Sequence, residues 1–204
     1  MMLHAADSVK QGFSKIVIRN VDTDVVILSV ATVAKFQQVD LWITFGVGAN
    51  FRYLPAHEIS QSIGQEMLNA LRFFHAFTGC GTVSCFSRRG KKTVWTTWKL
   101  FNNATNVFLS LSGSHCEVDD NVTETVERFV VLLYNRGSTK NGVNEIWQQL
   151  FAQKGRGLDA IPPTKAALFQ HTKRAVYQAG HCWGQACKTN QQLPCPSDWG
   201  WLSC

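Results

Sequence analysis

A chain of 204 residues, 45% of them hydrophobic, has material for one domain of ordinary size, and 17% charged residues is too few for a disordered chain. Twenty Lys and Arg against fourteen Asp and Glu leave a net charge of +6, which favours anionic partners and says nothing about fold. No apolar run reaches the roughly 18 residues of a membrane helix and no secretory pattern opens the chain, so the seven scattered cysteines read as reduced thiols of an intracellular protein, nuclear or cytoplasmic.

The predicted elements begin with a short helix over residues 2–12, ended by Gly12, and a strand at Lys15-Ile16-Val17-Ile18-Arg19. A polar turn, Asn20-Val21-Asp22-Thr23-Asp24, opens an almost wholly apolar element over residues 25–36. Leu41-Trp42-Ile43-Thr44-Phe45 is the next strand, closed by a glycine turn over residues 46–48. Residues 16–18 and 41–45 are nearly continuous apolar runs, as burial on both faces of a parallel sheet demands, and both are expected to be inner strands. Phe51-Arg52-Tyr53-Leu54 reads as a short edge strand because Pro55 cannot donate to a central ladder. Two helices broken at Gly64 fill residues 57–77, and a further helix spans residues 94–101.

Beyond about residue 115 the pattern is helical only. Val122, Val126, Phe129, Val130 and Leu133 keep 3.6-residue spacing behind Asp119 and Asp120, whose carboxylates suit a helix N-terminus. Val143, Ile146, Trp147, Leu150 and Phe151 form a second stripe, stopped by Gly155 and Gly157. A third helix starts near Pro163 with the stripe Ala166, Phe169, Val176 and Trp183. The expected layout is an α/β unit over residues 1–115, a helical extension over 116–187 and an extended tail over 188–204.

Three constellations could carry chemistry. Asp22 and Asp24 lie two residues apart on the turn after a strand; such carboxylates suit one Mg²⁺ or Mn²⁺, and equally suit the cap of a following helix. Thr78-Gly79-Cys80-Gly81-Thr82 precedes a turn carrying Arg88, Arg89, Lys91 and Lys92, which is either a clamp for nucleic-acid phosphates at a helix start, or a solvated basic turn or nuclear import signal. His181, Cys182, Cys187, Cys195 and Cys204 lack the paired spacing of a structural zinc site.

Taken in order, these segments resemble the flap-endonuclease and PIN-type nucleases. Val21-Asp22-Thr23-Asp24-Val25 is similar to the segment in which two aspartates after a strand hold metal. Phe77-Thr78-Gly79-Cys80-Gly81-Thr82 resembles that superfamily's Leu-Gly-Cys-Asp-Tyr signature, whose aspartate is a further ligand, and residues 86–92 look like the glycine-lysine turn that grips duplex backbone. A large group of poorly characterised animal proteins looks closer still. It carries His-Glu-Glu-Ala-Asp-Thr-Arg before the equivalent of Met2, Gly-Cys-Asp-Thr at the equivalent of residues 79–82, and a cysteine-rich tail after the equivalent of Trp201. The resemblance implies a mostly parallel sheet flanked by helices, followed by a helical half. It also implies a truncated copy, with an exposed sheet edge or apolar face and with Gly81 in place of a ligand. The expected function is weak, sequence-independent binding of DNA or RNA backbone with impaired cleavage, and Mg²⁺ or Mn²⁺ held weakly by Asp22 and Asp24. The alternatives are an active metal-dependent nuclease, or a nonfunctional or protein-interacting fragment of mobile-element origin.

Overall fold

The computed structural model describes residues 1–113, 117–153 and 157–201. Helix α1 (Met2–Lys10) turns through Gly12, at φ +91°, into β1 (Lys15–Asn20). Helix α2 (Thr23–Val33) returns the chain to β2 (Asp40–Phe45), which pairs in parallel with β1, Ile16 beside Leu41 and Ile18 beside Ile43. Strand β3 (Arg52–Pro55) pairs antiparallel with β2 and places Leu54 beside Ile43. The described sheet is therefore small and mixed, in the order β1-β2-β3.

Helices α3 (Ala56–Ile63) and α4 (Gln65–Phe77) follow, divided by Gly64, whose φ of +87° a side chain would strain. With α2 they cover one face of the sheet, where Ile18, Leu41 and Ile43 join Val30, Val33 and Leu68 in the core. The opposite face is only partly covered among the described residues, Thr44 being buried there. Val17 is 57% exposed and Tyr53 61% exposed, while Trp42, in register with Val17, is half-buried with its ring edge against His57. The expectation that residues 16–18 form an inner strand buried on both faces is corrected: β1 is an edge strand of the described sheet, and its Val17 side is exposed.

Helix α4 is the hub of the rest. Its Phe73, Phe74 and Phe77 meet Trp98 of α5 (Lys91–Leu100), Phe108 of α6 (Asn103–Leu111) and Phe129 of α7 (Asp120–Tyr134). Phe74 stacks on Trp98 at 4.7 Å, and Phe73 on Phe77 at 5.3 Å. Such pairs add about 0.5–1.5 kcal/mol each beyond area burial, so Phe77→Ala in this cluster costs about 3–5 kcal/mol. Asp119 caps α7, accepting from Val122 N–H at 2.8 Å. Buried residues from the sheet through α9 form one continuous cluster.

Helix α8 (Val143–Phe151) is pinned to α7 by the buried Glu127, which accepts from Val143 N–H at 3.0 Å and pairs with Lys165 at 2.7 Å. Helix α9 (Lys165–Val176), capped by Thr164, buries Leu168, His171, Thr172, Ala175 and Val176. Ala166 faces solvent, so the expected stripe is corrected: the buried face includes two polar residues whose partners are carbonyls, Phe77 O for His171 and Leu168 O for Thr172. A π-helical turn (Tyr177–Cys182) carries the chain to the buried Trp183. The tail packs back through Tyr177 to Pro194 O and Arg174 to Gly200 O. Gly155, Cys204 and the expected boundary at residue 115 lie outside the described residues. No helix among the described residues is long and apolar enough to cross a membrane.

Candidate functional site

The turn after β1 sits at the carboxyl ends of the two parallel strands, where open α/β sheets bind ligands. Asn20 Oδ1 accepts from Asp22 N–H at 2.5 Å, and Asp22 Oδ1 accepts from Asp24 N–H at 2.9 Å, so Asp22 is the N-cap of α2. Asp24 lies in the first helical turn, where a carboxylate is favoured by the free N–H groups. Its Oδ1 is 2.8 Å from His75 Nε2 on α4.

His75 is the partner that the sequence did not reveal. Its side chain is only 3% exposed and its ring stacks on Trp183 at 5.6 Å. Burial first, and then the nearby Lys91 charge, push its pKa down against the pull of Asp24. The imidazole is neutral at pH 7, with Nε2–H donating to the carboxylate.

The glycine loop after α4 closes over this pair. Gly79, at φ +105°, has no room for a side chain: a Cβ there would lie 2.6 Å from Cys85 Cβ. Gly81 differs. Its φ is not in the left-handed region, and the nearest atom to a Cβ would be Asp24 Oδ2, at 4.0 Å. The loop thus needs glycine at 79 and not at 81, and position 81 faces the carboxylate of Asp24. Thr82 Oγ1 donates to Gln178 Oε1 at 2.9 Å, tying the loop to the π-helical turn.

The basic run is distributed differently from a clamp. Lys91 Nζ donates to His75 O at 3.2 Å, Thr78 Oγ1 at 3.0 Å and Gly79 O at 2.6 Å, so it caps the carbonyl end of α4. Burial lowers its pKa, against the pull of Cys80 and Asp24. Arg88, at φ 56°, pairs with Asp159 at 2.5 Å. Arg89 lies 4.6 Å over the ring of Tyr134, whose pKa is pushed up to about 12 by burial. Lys92 is exposed, and its ammonium makes no hydrogen bond or ion pair with a described residue. Three of the four cations are therefore engaged within the chain.

One oxygen of each aspartate is committed, to the α2 cap and to His75. Among the described residues no three His, Cys, Asp or Glu side chains converge on a point that could hold a metal. This donor set does not fit a pair of divalent ions, which carboxylates would hold about 3.5–4 Å apart. The local positive charge beside Asp24 comes from Lys91 instead. The described late cysteines Cys182, Cys187 and Cys195 are free thiols. Comparisons with protein-family models, curated proteins and solved structures find no match to this chain.

Proposed function

We propose that this chain is a nuclease-like α/β domain that binds nucleic-acid backbone weakly and does not cleave it efficiently. The observation that carries the reading is the approach of Gly81 to Asp24 at the carboxyl ends of the parallel strands. Two sequence segments 57 residues apart, each resembling a ligand-bearing motif, meet there, and a residue that sterically could bear a carboxylate bears none. What remains is two partly committed aspartates, a neutral histidine and a lysine, a set that can hold charge in place but cannot readily activate water between two ions. Loss of one preorganised charge-stabilising group costs about a hundredfold or more in rate.

Backbone binding then rests on the net charge of +6 and on Lys92, with Arg88 released from its exposed pair with Asp159. Affinity is weak, insensitive to base sequence and reduced by salt. Fluorescence anisotropy of labelled single-stranded and duplex oligonucleotides over a salt series tests it. The expected log–log slope is shallow, about one to two phosphates, and Lys92→Ala removes about one. Sequence-selective binding, or no binding at low salt, contradicts the reading.

A further inference from the structure

The outer edge of β1 is unpaired among the described residues. Ser14 O accepts from Asp40 N–H at 2.8 Å. In an evenly spaced parallel ladder that phase gives Ser14, Ile16, Ile18 and Asn20 the bonds to β2, and it turns the N–H and C=O groups of Lys15, Val17 and Arg19 to the other side. No element pairs with that side among the described residues. Helix α1 lies with α2 on the helical face, Met2 Sδ being 3.8 Å from Ser29 Oγ, and leaves the edge open.

The side chains along this edge define what would fit. On the open face Lys15, Val17 and Arg19 alternate as cation, apolar, cation, all exposed, and neither cation forms an ion pair with a described residue. Asp40 stands in register with Lys15 and offsets part of its charge; Arg19 stands beside Thr44 and has no such neighbour. Val17 continues a row through Trp42 to Pro55. On the helical face Ile16 is only half-buried. A neighbouring strand is therefore complemented by carboxylates beside Lys15 and Arg19, an apolar residue beside Val17, and apolar residues between them.

We propose that the β1 edge is a strand-addition site for an extended partner segment of the pattern acidic, apolar, apolar, apolar, acidic. Main-chain hydrogen bonds would supply affinity and the two flanking charges would supply choice of partner. The proposal rests on the edge alone and is independent of the nuclease-like reading.

The test is fluorescence anisotropy with the full chain and a labelled, capped peptide, Thr-Glu-Val-Val-Val-Glu-Thr, whose symmetry serves either strand direction. A control peptide replaces both Glu with Lys. The acidic peptide is expected to bind at least tenfold tighter than the control. Val17→Pro removes an edge-facing N–H without touching the β1–β2 ladder, and is expected to weaken binding at least tenfold at unchanged melting temperature. The double variant Lys15→Glu, Arg19→Glu is expected to reverse the preference between peptides, which a merely unfolded protein would not do. Equal affinity for the two peptides, binding to neither, or binding insensitive to both variants overturns the proposal. Sedimentation is run alongside: concentration-dependent dimers dissolved by Val17→Pro would assign the edge to a second copy and overturn it also.

Discussion

Gly81→Asp is the substitution from which most follows. Position 81 is exposed, its backbone accepts a side chain, and a Cβ there lies 4.0 Å from Asp24 Oδ2. A carboxylate one bond further on lies about 4 Å from Asp24, where two unit charges repel by about 1 kcal/mol in bulk water and about 4 at an effective dielectric near 20. With Lys91 beside the pair, the expected cost without metal is roughly 1–3 kcal/mol, or about 3 °C of melting temperature per kcal/mol in a chain of this size. Gly81→Asn is the control of equal bulk. It brings no charge, and by restricting the unfolded chain it is expected to be neutral or to stabilise by up to about 1 kcal/mol. Mn²⁺ should then recover the stability lost by the aspartate variant and leave the asparagine variant unmoved. Calorimetric titration should show Mn²⁺ at least tenfold tighter in Gly81→Asp than in the parent chain. Identical melting of the two variants, with negligible Mn²⁺ binding in both, would refute the juxtaposition on which the site rests.

Gly79→Ala, two residues away, is expected to cost at least about 2 kcal/mol in a denaturant melt, because it combines a positive φ with a 2.6 Å approach to Cys85. Lys91→Ala strips three acceptors of their donor at the end of α4 and should cost about 1–3 kcal/mol, whereas Lys92→Ala should stay within about 0.5 while flattening the salt dependence of oligonucleotide binding. His171, enclosed between Phe77 and Phe86, has its pKa lowered by burial from 6.5 to about 4. Its contribution is complete above pH 6.5 and is lost as pH falls toward 4, by about 3 kcal/mol, because only the unfolded chain takes the proton in that window. Urea melts at pH 7.5 and 4.5 should show a smaller difference for His171→Gln than for the parent.

Local signals carried much of the fold. The polar turn at Asn20-Val21-Asp22-Thr23-Asp24 separates a strand from a helix because Asn20 and Asp22 satisfy the backbone there, and that chemistry is contained within five residues. Gly64 and the acidic start of α7 are similarly self-contained. What the sequence hid was long-range. Val17 sits in a wholly apolar run and is exposed because no described element packs over it, a fact about topology rather than about residues 16–18. His171 and Thr172 fall outside the apolar stripe of α9 in sequence and are buried because Phe77 O and Leu168 O accept from them. The basic run read as a free cluster because Asp159 and Tyr134, which engage Arg88 and Arg89, lie 71 and 45 residues away. His75 left one faint trace: it falls on the same helical face as Leu68 and Leu71, where a histidine needs a partner.

The central claim, a nuclease-like domain whose ion site is too depleted to cut, is tested most directly by single-turnover incubation of labelled single-stranded and flapped-duplex oligonucleotides with excess protein in Mn²⁺. The expected result is no product above the protein-free control, for the parent chain and for Asp24→Asn alike. Cleavage by the parent that disappears in Asp24→Asn would contradict it.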